Sequence, residues 1–136
     1  MADRSRAIFA VLVIFLLSLG ACAPELVPPD WILLARQEIA FVSTSVVITV
    51  PPAAPPVKRV RIVPRMNDIG ITRVKVLLED GVDVERTDRV TLLANRETIA
   101  LDLPGDARRV REVVVEYYND KKTVHRAVIE IWGDPS

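Results

Sequence analysis

Short runs in which branched apolar residues alternate with polar ones recur along the chain. "RVKVLLED", Arg73 to Asp80, is the clearest: Val74, Val76 and Leu78 share one face, while Arg73, Lys75, Leu77 and Glu79 take the other. A period of two makes one buried and one solvated face only in an extended strand. The same alternation puts Val60 and Ile62 opposite Arg59 and Arg61, and it aligns Val46, Ile48 and Val50. It aligns Ile99, Leu101 and Leu103, then Val113, Val115 and Tyr117. In the last run Ala127, Ile129 and Ile131 oppose Arg126, Val128, Glu130 and Trp132. Valine and isoleucine suit a pleated surface.

Between these runs, "NDIG", "EDGVD", "LPGDA" and "YNDKK" carry the Asn, Asp, Gly and Pro that turns use. "YNDKK", joining two strong runs, is expected to close a hairpin. "WILLARQEIA", Trp31 to Ala40, has a composition that also permits a helix; Leu33, Ala35, Ile39 and Phe41 fit one strand face, so a strand is expected. "PPAAPP", Pro51 to Pro56, reads as a loop, with a polyproline ligand for a partner domain as its rival. The expectation is an all-β antiparallel sandwich of about seven or eight strands over residues 31–134.

The N-terminal segment is of a different kind. "MADRSR" places Arg4 and Arg6 before the uncharged, mostly apolar run Ala7 to Gly20. A basic head, a short apolar run and small residues are the layout of a secretory signal. The run is short for a bilayer span, which takes about 20 apolar residues. Leu19-Gly20-Ala21-Cys22 follows, and it resembles the bacterial lipobox. The resemblance implies a signal over residues 1–21, a diacylglycerol on the Cys22 thiol, cleavage before Cys22 and acylation, as by palmitate, of the new amino group. An ordinary cleaved signal or an uncleaved anchor are the alternatives. Ala23, where Asp would retain a lipoprotein at the inner membrane, implies by the same resemblance the outer membrane, facing the periplasm. Residues 22–30, with "APELVPPD", read as a proline-rich, extended tether.

Cleavage there leaves 115 residues, enough for one domain with its own core. Residues 1–21 contain Arg4, Arg6 and Asp3, so of the 18 basic and 18 acidic residues the remainder keeps a formal charge of −1. No overall field favours nucleic acid. Cys22 is the only cysteine, so no intrachain disulfide is available.

"DWILLA", "IALDLPGDARRVREVVVEYY" and "RAVIEIWG" resemble parts of a family of small exported bacterial β-sandwich proteins of uncharacterised function. The shared pattern is a Trp-led first strand, a strand ending Asp-Leu-Pro-Gly, an Arg-rich turn, an aromatic-ended strand and a last strand ending Trp-Gly. The resemblance implies the sandwich and brings no catalytic residue.

Little in the sequence points to chemistry. His125 is the only histidine, on the parity of Ala127 and Ile129, and reads as structural. Ser43, Ser45 and Ser136 show no nucleophile-elbow context. One histidine and a lipidated cysteine fall short of a zinc site. "EDGVDVERTD" gathers Glu79, Asp80, Asp83, Glu85 and Asp88 without EF-hand spacing, and reads as a charged, solvated hairpin tip rather than a calcium site. Trp132 and Tyr118 have the parity opposite their strands' main apolar faces; packing is expected, with an exposed sugar-binding platform as the rival. The expected function is a lipid-anchored, non-enzymatic interaction or structural module of the envelope, without cofactor or metal. It would meet the membrane through its anchor, and an envelope protein or polysaccharide as partner. A carbohydrate- or envelope-polymer-binding sandwich is the alternative.

Overall fold

The computed structural model describes residues 26–40, 44–96, 98–118 and 126–136. Eight strands are formed: β1 (Ile32–Ala40), β2 (Ser45–Thr49), β3 (Arg59–Arg65), β4 (Ile69–Leu78), β5 (Asp83–Leu92), β6 (Ile99–Asp102), β7 (Val110–Tyr118) and β8 (Arg126–Asp134). They make two four-stranded sheets, β1-β8-β3-β6 and β2-β7-β4-β5, here sheets A and B. Every strand pair is antiparallel. The fold is the expected all-β sandwich, and "WILLARQEIA" supplies a strand.

The alternation explains the core. Val60 and Ile62 of β3, Ala127, Ile129 and Ile131 of β8, and Ile99 and Leu101 of β6 point inward from sheet A. Ile48 of β2, Val74, Val76 and Leu78 of β4, and Val113, Val115 and Tyr117 of β7 meet them from sheet B. Each fully buried branched side chain contributes about 1.5–3 kcal/mol of transfer free energy.

Three expectations are corrected. The first concerns "YNDKK": residues 119–125 lie outside the described residues, but the strands they join do not pair. β7 pairs with β2 and β4, and β8 pairs with β1 and β3. The connection therefore passes between the sheets. Both flanking strands have two partners already, so neither has an edge free for the other. The hairpin among consecutive strands is instead β4–β5, turned at Asp80–Val82 with Gly81 at a φ of 90°.

The second concerns Leu33, expected on one face with Ala35 and Ile39. Leu33 lies opposite Trp132 and Ala35 lies opposite Ile131, so β1 holds an extra residue, Leu34, at that step. This β-bulge turns Leu34 into the core at 5% exposure and leaves Leu33 outside at 47%. Phe41 lies outside the described residues.

The third concerns "EDGVDVERTD". Only its start is a turn. Asp83, Glu85 and Asp88 belong to β5, a ten-residue edge strand whose side chains are mostly exposed. An edge strand buries too little of either face to show a clean apolar alternation.

Every connection except β4–β5 passes from one sheet to the other. At one end of the sandwich lie the start of β1, the close of β8, the proline loop and the loop Leu103–Arg109. This is the entry end. Residues 26–30, the close of the segment read as a tether, are held there. The Trp31 amide bonds the Pro28 carbonyl at 3.1 Å, and Arg61 Nη1 donates to the Leu26 carbonyl at 2.6 Å.

Candidate interaction face

The outer face of sheet A is a lattice of cross-strand rows. In the row nearest the entry end, Leu33, Trp132, Arg61 and Ala100 stand side by side on β1, β8, β3 and β6. Arg36, Glu130 and Val63 form the next row, and Glu38, Val128 and Arg65 the one after. Side chains in such a row, about 4.5–5.5 Å apart at Cβ, interact directly.

Glu130 is the hub. Its side chain is 9% exposed although it stands on the outer face. Arg65 Nε and Trp132 Nε1 donate to its Oε1 at 2.8 and 3.2 Å, and Arg36 Nη1 lies 3.5 Å from its Oε2. Both carboxylate oxygens are thus engaged. The carboxylate thus gathers two guanidiniums and an indole on the outer face of sheet A. Val63 and Val128 are buried beside it, outside the inter-sheet cluster.

Both tryptophans of the chain are at this face. Trp132 is half-buried in its row, and Trp31, 8% exposed, has the Arg61 guanidinium 4.8 Å from its ring centroid. That cation–π contact and the Leu26 carbonyl share the Arg61 head between them.

Tyr118 is packed as expected. It pairs with Gly70 across β7–β4, its hydroxyl lies 3.1 Å from Thr91 Oγ1, and Arg89 stacks on its ring at 4.2 Å. Tyr117, on the inner face, donates to the Ala40 carbonyl at 3.1 Å, and burial raises the pKa of its phenol.

The other singled-out residues are scattered. Ser45 is exposed at the end remote from the entry end, whereas Ser136 bonds Asp134 at the entry end; Ser43, His125 and Cys22 lie outside the described residues. The acidic stretch is matched with cations: Asp80 with Arg108 at 2.7 Å, Asp83 with Lys75 at 3.3 Å, Glu85 with Arg73 at 2.7 Å and Asp88 with Arg86 at 3.1 Å. Among the described residues no group of three or more metal-ligating side chains could hold an ion, and no helix is long and apolar enough to cross a membrane.

Two concavities flank the proline loop. One of about 320 Å³ lies among Pro56, Glu79, Asp80, Arg108 and Arg109, and one of about 150 Å³ among Pro51, Pro52, Ala54, Glu79 and Arg111. The Pro51–Pro56 segment carries its own turn, with the Ala54 amide on the Pro51 carbonyl at 3.0 Å. Arg109 Nη1 reaches the Pro52 carbonyl at 3.4 Å. These contacts tie the prolines to the domain.

Residues 9–133 match a protein family described as Domain of unknown function (DUF2541). The chain belongs to the DUF2541 family. No curated protein and no solved structure matches it. The match runs from Phe9, within the apolar run, to Gly133, so in this DUF2541 chain it takes in Leu19 to Cys22 together with the sandwich.

Glu130 and its two arginines were not singled out from the sequence. The alternation placed Glu130 outward, and nothing local announces that Arg36 and Arg65, distant in sequence, flank it across two strand pairs.

Proposed function

We propose that this DUF2541 protein is a lipid-anchored, non-enzymatic module of the bacterial envelope, carried on Cys22 at the outer membrane and facing the periplasm. One observation carries the reading: Leu19-Gly20-Ala21-Cys22 follows a short apolar run, and four residues later Leu26 is already fastened to the sandwich. A single acyl chain gives marginal membrane binding and two or more give stable anchoring, so the diacylglycerol and amino acylation together would hold the domain. The engaged Glu130 hub supports an interaction role, since it presents fixed guanidiniums and an indole rather than a free acid or base.

A carbohydrate- or envelope-polymer-binding sandwich is the second reading. It is favoured by the half-buried Trp132, with Arg36 and Arg65 fixed on the neighbouring rows.

Cys22→Ser tests the anchor. Labelled fatty acid should enter the wild type in cells and not the variant, because serine offers no thiol for the thioether. The folded domains should melt alike. A wild-type chain that takes up no label, or one recovered soluble without its apolar segment, defeats the reading. Crosslinking in cells followed by co-purification of envelope partners separates the interaction module from the polymer binder.

A further inference from the structure

We propose that the row Leu33–Trp132–Arg61, with Trp31 and Leu26 beside it, rests on the headgroup boundary of the bilayer that carries Cys22, so that the sandwich lies on sheet A. This rests on the anchored reading above.

The first support is where the chain leaves the domain. Arg61 belongs to the outer row and holds the Leu26 carbonyl. Leu26 follows Cys22 by four positions, a stretch that fully extended reaches about 14 Å. A thioether at Cys22 therefore keeps the Leu26 end of this row within about two headgroup layers of the acyl chains.

The second is the chemistry of the row. Leu33 is pushed out by the bulge at Leu34 and is 47% exposed next to Trp132. Indole rings, apolar in body and polar at N–H, favour the membrane–water interface. Among the described residues the other exposed large apolar side chains, Val47, Met66 and Val82, stand on β2, on the β3–β4 turn and on the β4–β5 turn. Isolated apolar residues of that kind are ordinary surface.

The test uses the full acylated chain, reconstituted in vesicles of brominated phosphatidylcholine and, in parallel, of the unbrominated lipid. Excited where only indole absorbs, the protein emits from Trp31 and Trp132 alone. Bromines quench at short range, so wild-type emission should fall in the brominated vesicles. Trp132→Phe should remove most of the quenchable part. Leu33→Glu, at an exposed position, should restore emission while leaving the melting temperature and the flotation of the protein with the vesicles unchanged. An acylated chain that floats yet shows equal emission in both lipids overturns the assignment of this face and leaves the anchor standing. The same holds if a soluble glycan fragment, added to the floating protein, perturbs Trp132 while bromine does not, which would give the face to the polymer reading. A chain with no acyl group that does not float overturns the anchor and this face together.

Discussion

Tyr118 lies flat on Gly70: a Cβ built at Gly70 would stand 2.4 Å from Tyr118 Cζ. The ring occupies the place a side chain would take on β4, held by Thr91 and Arg89 of β5. Covering a strand glycine with a cross-strand aromatic recovers packing that the glycine lacks. Gly70→Ala should therefore expel the ring and cost about 1–3 kcal/mol, as overpacking does. In a Tyr118→Ala background the same change should be neutral or stabilising by up to about 1 kcal/mol, since glycine is itself unfavourable in a strand. Urea unfolding of the four proteins reads the change of sign. Equal losses in both backgrounds would mean that the ring does not depend on the missing side chain.

The bulge in β1 is tested by two adjacent leucines. Leu34→Ala should lose about 2–5 kcal/mol, because the side chain is buried in the core cluster. Leu33→Ala should change stability by no more than about 0.5 kcal/mol. Chemical denaturation of each variant decides, and the reverse order would remove the bulge from its assigned step.

Glu130 and Arg65 should be coupled. Glu130→Ala leaves Arg65 Nε and the Trp132 N–H without their acceptor, although Arg65 Nη1 keeps Asn95, and a loss of about 1–3 kcal/mol is expected. Arg65→Met should cost less, because Arg36 and Trp132 still engage the carboxylate. The double variant should be less unstable than the sum of the two. Strict additivity in a double-mutant cycle would show that the pair contributes nothing beyond its separate parts.

Acid stability depends in part on Asp134. Its pKa is lowered because Ser136 donates to Asp134 Oδ1 from its hydroxyl and its backbone amide, at 2.5 and 3.1 Å, with smaller help from Arg59 and Lys58. A carboxyl group depressed in the folded state adds stability that is fully present above its unfolded pKa, about 3.9, and is lost as the pH falls through the folded value. Asp134→Asn should reduce the slope of stability against pH below about 4 and leave the slope at neutral pH unchanged. Melting curves across that range check the sign; a variant whose acid slope equals that of the wild type would exclude Asp134 as a contributor.

Residues whose partners lie on the same strand were legible in the sequence. The alternation in β3, β4, β7 and β8 reports burial directly, because a sheet face repeats every second residue. What depends on neighbours across strands was not. The exposure of Leu33 follows from one extra residue in β1 measured against β8, which no local pattern contains. β5 escaped notice because an edge strand is solvated on most sides, so Asp83, Glu85, Arg86 and Asp88 dilute its alternation. Nor could the passage from β7 to β8 be told from a hairpin, since turn residues such as Asn119 and Asp120 serve either geometry. The Glu130 hub combines both difficulties. Its burial comes from Arg36 and Arg65, brought beside it by register alone.

The first strand and the last are neighbours: β8 stands between β1 and β3, so β1 joins the β3–β6 pair of sheet A only through this nine-residue strand. For a chain emerging from its N terminus, at a ribosome or through a membrane pore, this sets a timetable. Until Arg126–Asp134 arrives, β1 has no partner in its sheet and the inward faces of β3 and β4 lack Ile129 and Ile131 to close on. The sandwich therefore cannot close until β8 has joined the strands made before it. Its most exposed moment is the interval before β8 arrives, when the edges of β1 and β3 that will pair with it stand open.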